Sequence, residues 1–297
     1  MWLLVGGDSE IGTATYQLLK SHGVASAPTT RRKERVTAER PYLDLAAPLD
    51  DWEPPAGTTA ACFFAAIARI AACDGDPRGS AHVNVTQTVA LADRLLARGI
   101  SVLFLSTNQV FNGLVPKVAA DAPHSPLTEY GRQKARAEIE FFARIEQGAP
   151  LAILRLAKVV SPDMPLVRGW IDTLAAGKEI RAFSDMTMAP AETSMVVAAI
   201  AALMQDAARG IFQLTGPRDL SYANIGRHVA QRLGVDPTLV IEGRTSDAGL
   251  PAGSARPHTT LDSSRLREAY GIAVPDVHEI INTLITLSGK GSLLTGA

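Results

Sequence analysis

Short apolar runs alternate with amphipathic stretches through the first half of the chain. The runs predict β-strands, and the stretches between them carry apolar residues at helical spacing. The predicted strands are Trp2–Val5, Val24–Ala27, a third around Leu43, Ala60–Ala66, Val102–Leu105 and Leu151–Leu156, and the predicted helices are Ile11–Ser21, Val83–Arg98 and Tyr130–Ile145. Strands that alternate with helices favour right-handed crossovers within a parallel sheet. The sequence therefore predicts an α/β protein with a doubly wound parallel sheet.

The second half follows a less regular pattern. Helical stretches occur at Met195–Gln205, Ala223–Leu233 and Asp276–Leu287, and a strand-like run occurs at Ile211–Leu214. The stretch Gly243–His258 is rich in Gly, Pro, Ser and Ala, which predicts a loop. Because the first of these helices is apolar on almost every side, we expect it to be buried.

Composition and charge narrow the class of protein. The 297 residues are 46% hydrophobic and 20% charged, which is typical of a globular protein and excludes intrinsic disorder. The formal net charge of −1 offers no basic field for nucleic acid. The longest apolar runs, Ala60–Ala68 and Met195–Met204, have nine and ten residues, against the ~20 that a membrane-spanning helix needs. No basic segment precedes the first apolar run, so we expect a cytoplasmic protein with no membrane partner.

Cysteine and histidine give no sign of a metal centre. The two cysteines, Cys62 and Cys73, are expected to be small buried residues in a reducing compartment. The six histidines are scattered without the spacing of metal ligands. We therefore expect no metal site.

A glycine-rich turn joins the first predicted strand to the first predicted helix. Small residues at such a turn let the backbone approach a pyrophosphate, and the helix N-terminus supplies N–H groups and the positive end of a dipole. The residues expected to bind a dinucleotide cofactor here are Gly6, Ser9, Glu10, Ile11 and Gly12. An ordinary tight turn is the alternative.

Basic residues follow the second predicted strand. Arg31 and Arg32 stand where an NAD-preferring site normally carries an acidic residue for the ribose 2′-hydroxyl. Guanidinium groups suit a 2′-phosphate instead, so the sequence favours NADP(H) over NAD(H). A solvated basic loop is the alternative, because Glu34 and Arg35 continue the charged run.

Two further pairs of residues suit the same cofactor. Asp44 and Leu45 follow the third predicted strand, where a carboxylate can accept a hydrogen bond from the adenine amino group. Ala65 and Ala66 end the fourth, where small side chains let a cofactor lie against the backbone.

A candidate catalytic set lies downstream. Ser106 and Thr107 end the fifth predicted strand, at the carboxyl edge where open α/β sheets bind ligands. Tyr130 and Lys134 are four residues apart, so they share one face of the next helix. An ammonium group near a phenol lowers its pKa from ~10, and that phenol can protonate an alkoxide as a hydride reaches the carbon. A surface helix with an incidental Tyr–Lys pair is the alternative.

Several motifs resemble those of a known family. The stretch LFLSTNQVFNG (Leu103–Gly113) resembles STDYVFDG, and PHSPLTEYGRQKARAE (Pro123–Glu138) resembles P..PLN.YG.SK...E. AILRLAKVVSP, GIFQLTG and RPHTTLDSSRL resemble later parts of the same pattern. Over almost its whole length the chain resembles an extended short-chain dehydrogenase/reductase. Within that family it resembles the dTDP-4-dehydrorhamnose reductase branch of sugar-nucleotide-binding reductases.

The resemblance implies both an organisation and a reaction. Residues 1–160 would form a Rossmann-like NAD(P)-binding domain to which some later segments return, 161–288 mainly a smaller substrate-binding α/β region, and 289–297 a flexible tail. Thr107, Tyr130 and Lys134 would form the catalytic set, with Ser106, Thr107 and Asn108 near the substrate. NADPH would reduce a keto-sugar nucleotide with Tyr130 as proton donor, in an enzyme that is by default a homodimer.

Departures from the family pattern keep other functions open. Ser9 replaces the middle glycine of the turn, while Asn108 and Gln109 replace an Asp-Tyr pair. One alternative is an NAD-dependent sugar-nucleotide epimerase or dehydratase. Another is a regulatory subunit that binds the cofactor without catalysis.

Overall fold

The computed structural model describes residues 1–161, 164–250 and 255–289. Residues 290–297 of the expected tail lie outside the described residues, as do residues 251–254 of the expected loop. Within the expected loop Gly243–His258, residues 244–250 and 255–258 form neither helix nor strand, as predicted, whereas Gly243 is the last residue of the strand Val240–Gly243.

Strands and helices alternate through most of the described chain. The strands are β1 (Trp2–Val5), β2 (Ser26–Pro28), β3 (Ala60–Phe63), β4 (Ser101–Thr107), β5 (Leu151–Leu156), β6 (Val159–Val160), β7 (Ile180–Phe183), β8 (Thr187–Met188), β9 (Ala191–Glu192), β10 (Gly210–Leu214), β11 (Leu220–Ser221) and β12 (Val240–Gly243). The helices are α1 (Glu10–Ser21), α2 (Ile70–Gly75), α3 (Pro77–Ala81), α4 (Thr88–Leu96), α5 (Glu129–Glu146), α6 (Pro165–Ala175), α7 (Thr193–Gln205), α8 (Tyr222–Leu233), α9 (Ser264–Tyr270) and α10 (Val277–Leu287).

A six-stranded parallel sheet forms the centre, in the order β10-β5-β4-β3-β1-β2. The chain runs outward from β1 on both sides, which confirms the predicted doubly wound sheet. On one face, Leu19 of α1 and Ile200 of α7 pack in one buried cluster; on the other, Leu91 of α4 and Phe141 of α5 pack in another. The near-continuous apolar character of the inner strands follows from this double coverage.

Two predicted elements differ from the observed ones. Leu43 is buried but lies outside any strand: its N–H donates to the Thr30 carbonyl beyond the end of β2. The strand that ends at Thr107 is therefore the fourth of the chain rather than the fifth. The helix predicted at Val83–Arg98 follows α2 and α3 through a π-helical segment, His82–Gln87, before α4 begins.

A third buried cluster lies in the later part of the chain. It contains Trp170 of α6, Val229 of α8 and Ile281 of α10, and β7 pairs with β12 beside it. Between these elements the chain returns to the central sheet, because β10 pairs with β5 and α7 packs against the sheet. Residues after 160 therefore contribute both to the central sheet and to the later buried cluster.

A buried ion pair links α5 to β5. Arg155 and Glu138 are both fully buried, and Arg155 Nη2 lies 2.7 Å from Glu138 Oε2. His124 Nε2 lies 2.8 Å from the same oxygen, and Arg155 Nη1 also donates to the Ala120 carbonyl and to Gln213. Although burial alone would raise the pKa of Glu138, the hydrogen bonds from His124 and Arg155 and the Arg155 charge hold that pKa below its usual range.

Two expectations from composition can be compared with the described residues. Cys62 and Cys73 are both free and buried, as predicted. None of the described helices combines the length and the apolar character needed to cross a bilayer.

Candidate active site

The glycine turn is held by close backbone packing. Gly6 has φ +83°, and a Cβ there would lie 2.6 Å from the Ala65 nitrogen. A Cβ on Gly12 would lie 2.8 Å from Ser9 Oγ, which instead accepts a hydrogen bond from the Gly12 N–H as the N-cap of α1. Serine at position 9 is thus compatible with the glycine turn, and its hydroxyl caps the N-terminus of α1.

The start of α1 offers free donors. No described residue accepts a hydrogen bond from the N–H of Glu10 or Ile11. These groups belong to the first turn of a helix, where the dipole favours an anion. The geometry is that of an anion-binding helix N-terminus.

Two cavities adjoin this turn. The larger, of about 430 Å³, brings together most of the predicted cofactor residues: Gly6, Ser9, Arg31, Asp44, Leu45, Ala65 and Ala66. The smaller, of about 240 Å³, is lined by Ser9, Glu10, Ile11, Phe64, Leu105 and Val159. Ser9 and Phe64 belong to both cavities, so the two form neighbouring parts of one groove along the carboxyl edge of the sheet.

The two arginines after β2 differ in whether they line a cavity. Both arginines are exposed, but Arg31 lines the larger cavity and Arg32 lines neither cavity. Asp8 also lines the larger cavity and accepts hydrogen bonds from Thr30 Oγ1 at 2.6 Å and from Arg40 Nη1 at 2.8 Å. Part of the positive charge near the turn is therefore already neutralised.

The three predicted catalytic residues lie at the ends of β4 and α5. Thr107 is the last residue of β4, while Tyr130 and Lys134 lie near the start of α5. Thr128 caps that helix by accepting a hydrogen bond from the Gly131 N–H. Lys134 Nζ donates to the Leu105 carbonyl at 2.8 Å, and Leu105 lines the smaller cavity. The helix thus brings Lys134 to the strand beside the groove.

Burial controls the ionisation of this pair. Tyr130 is 9% exposed and Lys134 is 4% exposed. Burial lowers the pKa of Lys134 to about 8, partly offset by the nearby charge of Glu138. Burial raises the pKa of Tyr130, and the nearby Cys73 raises it further. The expectation that the ammonium lowers the pKa of Tyr130 is not met, because burial dominates and Lys134 is bonded to a backbone carbonyl.

Ser106 and Thr107 have different surroundings at the end of β4. The Ser106 hydroxyl is buried and lies close enough to Glu138 to lower the pKa of that carboxyl. Successive side chains of a strand point to opposite faces, so Ser106 and Thr107 do not face the same side. Thr107 Oγ1 instead accepts from the Gln109 N–H, and Asn108 Nδ2 lies 3.5 Å from the Thr259 carbonyl of the later region.

Several lining residues are absent from the sequence-based expectations. They are Asp8, Thr29, Phe64 and Arg69. Phe64 directly precedes the predicted Ala65-Ala66 pair, Arg69 follows that pair by three residues, and Asp8 lies inside the glycine turn itself. Their position in the sequence, close to residues predicted to contact the cofactor, is the signal that could have identified them. Within the described ranges no group of three or more potential ligand side chains could hold a metal ion.

Comparison with known proteins gives a consistent result. The chain is 28% identical over 228 residues, 74% of each chain, to a Haloferax volcanii protein named as a probable low-salt glycan biosynthesis reductase, Agl14. It is 26% identical to the dTDP-4-dehydrorhamnose reductase of Sinorhizobium fredii, over 86% of this chain and 91% of the relative. The fold matches the crystal structure of the Bacillus anthracis dTDP-4-dehydrorhamnose reductase in complex with NADP, with a TM-score of 0.78 at 15% identity over 96% of this chain and 98% of that one.

The family model described as the RmlD substrate binding domain matches residues 1–288. That range contains the glycine turn, the ends of β4 and α5, and the later buried cluster. Since the match spans nearly the whole chain, the protein belongs to the RmlD substrate binding domain family of dTDP-4-dehydrorhamnose reductase-like proteins.

Proposed function

We propose that this protein is an NADPH-dependent reductase of a keto-sugar nucleotide. One observation carries the proposal: on α5, which also carries Tyr130, Lys134 Nζ donates to the Leu105 carbonyl of β4, and Leu105 lines the smaller cavity beside the glycine turn. In this proposal residues 1–160 bind the cofactor, and residues 161–288 supply most of the contacts to the sugar nucleotide.

The groove fits a nicotinamide dinucleotide. Glu10 and Ile11 would present their free N–H groups to the pyrophosphate, and Arg31 would pair with the 2′-phosphate at the other end of the groove. Ala65 and Ala66 leave room for the cofactor against the backbone. When bound, NADPH supplies the hydride.

Tyr130 is suited to donate the matching proton. Its raised pKa keeps the phenol protonated at neutral pH, and the alkoxide that forms during reduction is the stronger base. The Thr107 hydroxyl would hold the carbonyl oxygen. Once Tyr130 has given up its proton, a charged Lys134 on the same helix would offset part of the cost that burial imposes on the phenolate. Hydride and proton together convert the ketone to an alcohol.

The relatives and the residues after Thr107 both support the proposed substrate class. The named relatives include a dTDP-4-dehydrorhamnose reductase, which supports a keto-sugar nucleotide. A dehydratase needs an acid and a base to eliminate water, but Asn108 and Gln109 carry amides that do not ionise. This disfavours elimination next to Thr107.

The test is NADPH oxidation by purified protein with a panel of dTDP- and UDP-linked 4-keto sugars. Loss of the nicotinamide absorbance that depends on both protein and sugar nucleotide is the expected result. Protein that carries bound NAD and converts sugar nucleotides without net NADPH use would instead be an epimerase or dehydratase. Binding of NADPH without turnover of any sugar would point to a regulatory subunit.

Replacing Arg31 with Ala should weaken NADPH binding about 10- to 100-fold and leave NADH binding almost unchanged. One charge-assisted hydrogen bond contributes about 1.5–3 kcal/mol, and only NADPH carries the 2′-phosphate. Titration of nicotinamide fluorescence measures both affinities. Arg32→Ala is the matched control: that side chain lies outside the groove, so both affinities should change less than about threefold. Equal effects of the two variants would contradict this assignment.

A further inference from the structure

Gln133 lies on α5 directly before Lys134 and is fully buried. Its Nε2 donates to Ser80 Oγ at 2.8 Å and to Glu129 Oε1 at 3.1 Å. Its Oε1 accepts from Asn84 Nδ2 at 2.8 Å. Both ends of the amide are therefore fixed in place.

Asn84 continues this connection to the wall of the cofactor groove. It is 1% exposed, and its Oδ1 accepts from the Ile67 N–H at 2.8 Å while its Nδ2 donates to the Ile67 carbonyl at 2.9 Å. Ile67 lines the larger cavity. The Asn84 side chain thus bonds both backbone groups of a wall residue and, through the same amide, Gln133 on the catalytic helix.

The local backbone supports a special role for Asn84. It lies within the π-helical segment His82–Gln87, an uncommon conformation that occurs frequently at functional sites. Gln133 also departs from the pattern YG.SK, in which its position holds serine. A serine side chain ends at its γ-oxygen, whereas this bridge is made by the amide of a longer side chain.

We propose that Gln133 and Asn84 form an amide clamp that holds the Ile67 wall of the cofactor groove at a fixed position relative to Tyr130 and Lys134. The two residues are positioning residues and touch neither cofactor nor substrate. The inference rests on the proposed function, since the clamp aligns the proton donor with the groove. A displacement of about 1 Å at such a site can cost up to ~100-fold in rate.

The first test is Gln133→Met, which preserves side-chain length but removes the donor and the acceptor. We expect kcat to fall about 10-fold or more while KM for the sugar nucleotide stays within about twofold, because the clamp aligns the cofactor groove with the proton donor and does not contact the sugar. The NADPH Kd should rise several-fold, and amide hydrogen exchange at Ile67 should become faster. Gln133→Ser, which carries the serine of the family pattern, is the second variant and replaces Gln133→Met if that variant folds poorly. It should show the same changes in kcat, in the NADPH Kd and in the exchange of Ile67.

Gln213→Met is the matched control. Gln213 is also a buried glutamine, but it bonds Arg155 and the Val118 carbonyl, away from both cavities. This variant should lower Tm without changing kcat, the NADPH Kd or the exchange of Ile67. The double variant Asn84→Ala/Gln133→Met should lose no more kcat than the worse single variant, because residues that act as one unit are not additive.

The proposed clamp is contradicted if Gln133→Met behaves like Gln213→Met, with a lower Tm but with no change in kcat, in the NADPH Kd or in the exchange of Ile67. Its failure is distinguishable from failure of the proposed function. A wild-type protein that binds NADPH but reduces no sugar nucleotide would contradict the reductase proposal. In that case the NADPH Kd and the exchange of Ile67 would still decide for or against the clamp.

Discussion

Replacing Tyr130 with Phe is expected to lower kcat by about 10³-fold or more and to leave NADPH affinity within about threefold of wild type. General acid catalysis contributes about 10²–10⁴-fold, and the substitution removes the proton donor alone. The ring is buried, so phenylalanine can keep its packing. Reduction of a keto-sugar nucleotide and fluorescence titration with NADPH measure the two quantities separately.

Tyr222→Phe is a suitable control for the loss of a phenol. Tyr222 begins α8 and packs edge-on against Trp170 in the later buried cluster, and burial also raises its pKa. This variant should keep full activity. Turnover retained in Tyr130→Phe would exclude Tyr130 as the acid. Loss of NADPH binding together with turnover would mean that the substitution had damaged the groove rather than the chemistry.

Local patterns were sufficient to predict the central sheet and the larger cavity. The mainly apolar runs at Trp2–Val5 and Leu151–Leu156 match β1 and β5 residue for residue, because parallel strands covered on both faces are largely apolar; Arg155, paired with Glu138, is the exception in β5. The turn between β1 and α1 drew attention to Ser9, which lines both cavities. This one short turn therefore determines both the start of α1 and the position of Ser9 at the carboxyl edge of the sheet.

Other features depend on contacts between distant segments. Leu43 reads as a strand residue because it is apolar and buried, yet its backbone pairs only with the Thr30 carbonyl beyond β2. The π-helical turn at Asn84 depends on bonds to Ile67 and Gln133, 17 and 49 residues away in sequence. No periodicity within one segment encodes such partners.

The pKa values of Tyr130 and Lys134 also depend on the fold and not on the local sequence alone. Spacing correctly placed Tyr130 and Lys134 on one helix, but the pKa of each depends on burial. The hydrogen-bond partner of Lys134, the Leu105 carbonyl, belongs to a strand that precedes the helix. Spacing alone predicted that the Lys134 ammonium lowers the pKa of Tyr130. In the folded protein, desolvation raises the pKa of Tyr130 and lowers that of Lys134.

Replacing Glu138 with Gln should lower the free energy of unfolding by about 3–5 kcal/mol at pH 7. The substitution leaves the fully buried Arg155 charge without its counter-ion, and breaking a buried pair from one side typically costs that much. Urea unfolding followed by circular dichroism measures the change. Glu140→Gln is the control on the same helix: Glu140 pairs with Arg144 at the surface, and this loss should cost less than about 1 kcal/mol.

The pH dependence gives an independent test of the same pair. The folded-state pKa of Glu138 is depressed, so its stabilising contribution is present above the unfolded value of about 4.3 and is lost as pH falls through the folded pKa. The difference in stability between wild type and Glu138→Gln should therefore shrink as pH falls below that unfolded value. Adding Arg155→Met to Glu138→Gln should recover part of the loss, because the uncompensated buried charge is then gone. A Glu138→Gln variant as stable as wild type at pH 7 would show that the pair does not stabilise the junction of α5 and β5.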